Sequence, residues 1–233
     1  MAGRELPGWH GKLPSLGDFA SRRLSPGFLA IWDTWLASGL HQLRQYQPDT
    51  WLDAYLASPT RRFLLMPGVL PGEFGQQAWA GVLMPSVDRV GRYFPFTIVL
   101  PLAAVPASSE QMQSLWSWLG RLDELAADAM HDDWTVDRLE AELAGLASPG
   151  LQVTATATGG PPMALGGLAT LDLPAGQDIA QYLAIAAQAL WQQRVQGLGY
   201  WYASAELKAP SLWVSRGLPA NSAALLGGRI ESA

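Results

Sequence analysis

The chain has 233 residues, 49% hydrophobic and only 15% charged, with a net charge of −5. About 25% charged residues is usual, so this composition describes a folded protein with an ample core and a surface short of charge. It holds no cysteine, which excludes disulfides, zinc-thiolate sites and cysteine nucleophiles.

The chain opens on a run of Gly, Pro and a few polar residues, Gly8-Trp9-His10-Gly11-Lys12-Leu13-Pro14-Ser15-Leu16-Gly17-Asp18-Phe19, read as a loop and followed by Arg22-Arg23. Ser25-Pro26 then starts a helix, with Ser as N-cap and Pro in the first turn. Phe28, Leu29, Ile31, Trp32, Trp35, Leu36, Leu40 and Leu43 keep helical spacing to about Gln47, and Pro48 stops it. Thr50 to Leu56 predicts a short second helix.

Three strands are predicted next: Arg62 to Met66, Trp79 to Met84 and Phe94 to Leu100, each short, apolar and bounded by Gly or Pro. Pro67 to Gly75 reads as a surface loop. The stretch from Pro85 to Arg92 is expected to join the last two strands as a long hairpin connection.

Pro106 to Ser109 is the one candidate boundary, dividing 1–107 from 108–233. A long helix follows, with Met112, Leu115, Trp116, Leu119, Leu122, Leu125, Ala126 and Ala129 on one face. Thr135 caps another helix to about Leu146, with Asp137 near its positive end. Further expectations are a strand at Leu151 to Thr158, a helix at Gln177 to Gln196, strands at Tyr200 to Ser204 and Leu212 to Ser215, and a closing helix at Pro219 to Leu226, with Gly227-Gly228 as its C-cap.

Grouped strands with long helices between the groups predict an α+β fold, a largely antiparallel central sheet flanked by long helices. The helices of 108–233 are expected to pack on the same sheet as 62–100, giving one compact body.

Charge is uneven along the chain. Residues 1–107 carry nine Lys/Arg against seven Asp/Glu, and 108–233 carry six against thirteen. Nine acids between Glu110 and Glu142 face only Arg121 and Arg138, the pattern of a solvated helix face. There is no basic stripe to neutralise phosphates, so nucleic acid is not an expected partner. No stretch nears the ~18 apolar residues of a membrane span, and Met1 to Gly8 has no apolar signal core. The expected location is cytoplasmic, without stable membrane insertion.

Catalytic signatures are sparse. His10, His41 and His131 are scattered without metal-ligand spacing, and the glycine pairs lack a phosphate-binding fingerprint, so no metal or cofactor is expected. An enzymatic alternative, a hydrolase or phosphatase-like activity, uses either Ser86, two residues before Asp88, with His10 or His41 as a base, or the Arg89/Arg92 loop. No Gly-x-Ser-x-Gly elbow frames it.

The richer feature is the pairing of the first loop with a second, Val82-Leu83-Met84-Pro85-Ser86-Val87-Asp88-Arg89-Val90-Gly91-Arg92-Tyr93-Phe94-Pro95. Lys12, Ser15, Asp18, Arg22, Arg23, Ser86, Asp88, Arg89 and Arg92 are the candidate site residues. Two readings stand. Asp18 or Asp88 pairs with Arg89 or Arg92 and locks the loops to the sheet edge. Or these groups face outward, and Arg22, Arg23, Arg89 and Arg92 jointly take an acidic or phosphorylated surface.

These two runs, in this order, resemble the TagF (ImpM) family of accessory proteins of bacterial type VI secretion systems. The first matches the family's Gly-aromatic-x-Gly-Lys-Leu-Pro-x-x-Gly-Asp-Phe opening, and Trp32 and Trp35 are consistent with its tryptophan helix. The resemblance covers about residues 8–105 and fades to Ser211 to Ser215 and Leu225 to Gly227 beyond. It implies a stand-alone, non-enzymatic repressor that acts after translation on the secretion system. The implied partner is the forkhead-associated scaffold of the threonine kinase and phosphatase pathway. No activity or cofactor carries over from the family, and the site residues rest on the loops themselves.

Overall fold

The computed structural model describes residues 6–149, 151, 188, 190–203 and 210–228. Its frame is a seven-stranded sheet of β1 (Gly8–Lys12), β2 (Phe19–Arg22), β3 (Arg61–Leu65), β4 (Ala78–Met84), β5 (Phe96–Leu102), β6 (Leu198–Ala203) and β7 (Ser211–Arg216). The spatial order is β2-β1-β5-β4-β3-β6-β7, and every pairing is antiparallel. β3 pairs with β6, Arg62 opposite Tyr202, so strands from both sides of Pro106 share one sheet.

Two helical layers cover the two faces. α1 (Pro26–Tyr46) and α2 (Trp51–Leu56) lie on one; α3 (Ser109–His131) and α4 (Val136–Gly145) lie on the other. The caps predicted at Ser25 and Thr135 form, and Ser108 caps α3 in the same way: each accepts a hydrogen bond from the backbone N–H three residues on. Along α1, Phe28, Trp32, Leu36, Leu40 and Leu43 meet Phe63, Trp79, Leu83 and Val99 of the sheet. Along α3, Leu115, Trp118, Leu119, Leu122 and Ala126 meet Leu64, Ala80, Val82 and Ile98. Alternate residues of β4 feed these two cores, and all seven of its residues are buried.

The structure departs from the sequence reading in places. Gly8–Lys12 and Phe19–Arg22 are paired strands, not a loop. Glycine and short polar residues hide the strand character, and tertiary contact supplies it. Gly11, at φ 134°, lies against the Pro95 carbonyl and Phe96 Cα so closely that no side chain fits there. The strand expected from Phe94 runs instead from Phe96 to Leu102, because Pro95 has no N–H for the ladder. Pro101 is tolerated within it because β1 has already ended its pairing, at Gly8 opposite Val99. Val69 and Leu70 of the expected surface loop are buried. The closing helix is a 3-10 turn over Ser222–Leu226, ended by Gly227 in the left-handed conformation. Of the expected strand at 151–158 only residue 151 is described, and most of the expected helix at 177–196 lies outside the described residues, with 188 and 190–195 helical.

Candidate functional site: two stapled hairpins

The β1–β2 hairpin and the β4–β5 connection meet at one end of the sheet, and most of the candidate residues meet with them. Asp88 is the hub. Its Oδ2 accepts from Lys12 Nζ at 2.5 Å and from Arg92 Nε at 2.7 Å, while its Oδ1 accepts the backbone N–H groups of Val90 and Arg92. Lys12 and Asp88 are both buried. Burial raises the Asp88 carboxyl pKa, but the Lys12 ammonium, the two N–H groups and the Arg92 guanidinium outweigh it and hold the group well below the usual carboxylate range.

Ser86 sits beneath this hub and is buried. Its hydroxyl donates to the Lys12 carbonyl at 2.6 Å and touches Met130 Sδ. Its backbone N–H donates to the Tyr55 hydroxyl, which in turn donates to the Ser86 carbonyl, and burial pushes that phenol pKa upward. No histidine is among its hydrogen-bond partners; His10 instead pairs with Asp33, Nε2 to Oδ1 at 3.2 Å.

Two bonds staple the hairpins to each other. The Arg89 N–H donates to the Leu16 carbonyl, and the Arg92 guanidinium donates to the Gly17 carbonyl. Ser15 ties the first hairpin to the opposite layer by donating to the Trp134 carbonyl at 2.6 Å. Asp18 is exposed, with its carboxylate accepting from the Phe19 N–H and lying 3.8 Å from Arg92. The lock therefore runs through Asp88 and Arg92, with Asp18 only a surface neighbour.

The four arginines do not form one cluster. Arg22 and Arg23 lie at the opposite end of β2 from Phe19. Arg23, with a left-handed backbone at φ 58°, turns the chain toward α1 and grips Glu140 of α4. Arg22 bonds the Ser21 carbonyl and lies 5.9 Å from the Trp9 ring. Arg89 is exposed, and its guanidinium has no hydrogen bond or ion pair among the described residues.

Glu140, Tyr55 and Trp134 are the contributors that sequence reasoning missed. Glu140 accepts from Trp9 Nε1 as well as Arg23; burial raises its pKa, and the Arg23 and Trp9 bonds bring it below the ordinary value. In the sequence it is one of nine acids in a stretch read as solvated, with no local mark to set it apart. Among the described residues no group of three or more His, Asp or Glu is arranged to hold a metal, and no helix is long and apolar enough to cross a membrane.

Residues 8–146 match the family model of the TagF N-terminal domain, type VI secretion system-associated. No match is found among curated proteins. The chain is similar to the crystal structure of PA0076 from Pseudomonas aeruginosa PAO1, 34% identical over 97% of this chain and 96% of that one, with a TM-score of 0.70. The family match over residues 8–146 therefore places the chain in the TagF family of type VI secretion system-associated proteins.

Proposed function

We propose that the protein is a non-enzymatic, post-translational repressor of type VI secretion, acting in the cytoplasm by binding the forkhead-associated scaffold or another assembly or signalling component. The observation that carries the non-enzymatic part is the state of Ser86. Its hydroxyl is buried and committed to a backbone carbonyl, and among the described residues no base is hydrogen-bonded to it. Lys12 and Arg92 are committed to Asp88 in the same way, so the polar residues of the site hold a shape. A fixed, stapled pair of hairpins is the kind of surface that binds a partner at low ordering cost.

The test is a quantitative binding measurement between the purified protein and the scaffold of the same secretion system, paired with turnover assays on the phosphorylated scaffold. Repression by sequestration expects a stable complex and no loss of phosphate. Dephosphorylation by the pure protein would replace this reading with an enzymatic one.

A further inference from the structure

We propose that the stapled hairpin tips are the partner-binding surface, with Arg89 receiving a carboxylate and Val90 and Phe19 anchoring apolar side chains around it. The inference rests on the repressor reading for the identity of the partner and for secretion as a readout.

Among the four candidate arginines, Arg89 stands out by elimination. Arg92 is held by Asp88 and Gly17, Arg23 by Glu140, and Arg22 leans on its own strand near Trp9. The Arg89 backbone, by contrast, is fixed from both sides. Its N–H is bonded to Leu16, and Asp88 clamps the N–H groups of Val90 and Arg92 immediately after it. The turn therefore presents a free guanidinium on a rigid base. Val90 beside it is 63% exposed, and on the facing hairpin Phe19 is 45% exposed although its ring packs on His10 and Phe94. Arginine and aromatic side chains held rigid around a polar contact are the usual composition of an interface centre.

Charge decides the ligand. A single free guanidinium fork matches one carboxylate bidentately. A phosphate dianion would keep a charge unmatched, because Lys12 and Arg92 are both engaged with Asp88. The partner is thus an acidic protein surface with an Asp or Glu beside an apolar pocket.

The experiment measures scaffold affinity for wild type, Arg89→Glu, Arg89→Lys and Val90→Asp, each checked for an unchanged melting temperature, with the scaffold both as isolated and after phosphatase treatment. Arg89→Glu is expected to weaken binding at least ~30-fold, Val90→Asp to weaken it comparably, and Arg89→Lys to weaken it less. Phosphatase treatment is expected to leave affinity unchanged. Wild-type affinity in Arg89→Glu, or binding that vanishes with phosphate removal, overturns the proposal. If the wild type does not bind the scaffold, that partner falls and effector secretion in cells becomes the readout. Release of secretion by Arg89→Glu and Val90→Asp at normal abundance then supports the surface, whereas intact repression overturns it. A wild type that leaves secretion unchanged sinks both the surface and the repressor reading.

Discussion

Lys12 and Asp88 lie 76 positions apart in the chain and form a buried ion pair, Nζ to Oδ2 at 2.5 Å. The pair joins the first strand to the connection that follows the fourth, and Arg92 completes it from the rim. Taking charges out of water is unfavourable unless partners replace the lost hydration. Asp88 meets that condition with four hydrogen bonds, so the geometry of both hairpins depends on this one carboxylate.

Removing the cation should therefore be costly. Lys12→Met keeps the apolar stem and deletes the ammonium, and it is expected to lower Tm by on the order of 10 °C. Thermal unfolding followed by tryptophan fluorescence checks this. A Tm within a degree of wild type would show that the pair is dispensable.

Acid should loosen the same end of the molecule. Asp88 and Glu140 are held below their ordinary values of 3.8 and 4.5. Carboxylates with depressed folded-state pKa values contribute their full stability above those ordinary values, and the contribution is lost as pH falls through the folded ones. Urea midpoints are expected to be flat down to about pH 5 and to drop steeply below about pH 4. Glu140→Gln, which can no longer ionise, should show a shallower drop than wild type.

Ser86→Ala separates architecture from catalysis. Losing a buried hydroxyl that donates to the Lys12 carbonyl should cost about 1 kcal/mol of stability. Scaffold binding and repression are expected to survive. A folded Ser86→Ala protein without repression would favour the enzymatic alternative.

Gly11→Ala tests the close approach of β1 to β5. The backbone at φ 134° disfavours an L residue, and the new Cβ would meet the Pro95 carbonyl and lie 2.8 Å from Phe96 Cα. A loss of at least ~2 kcal/mol is expected, read from denaturant unfolding. Wild-type stability would mean that β1 shifts freely.

What the sequence by itself determined is local in the chain. The helix starts at Ser25 and Thr135 and the buried faces of α1 and α3 follow from capping chemistry and a period of 3.6 residues, both set by neighbours a turn away. The apolar strands β3 and β4 and the connection from Pro85 to Arg92 are equally plain in it.

Only the tertiary structure decided the rest. β1 and β2 are weak strand formers that exist because β5 pairs with β1 and Gly11 allows the approach. Which arginine is engaged and which remains free depends on sheet register. Arg23 meets Glu140 across 117 residues and Arg92 meets Gly17 across 75, and nothing at short range marks either pair. Hydrogen bonds and ion pairs act over a few ångströms of space, whatever their separation along the chain, so the site became legible only when folding brought its members together.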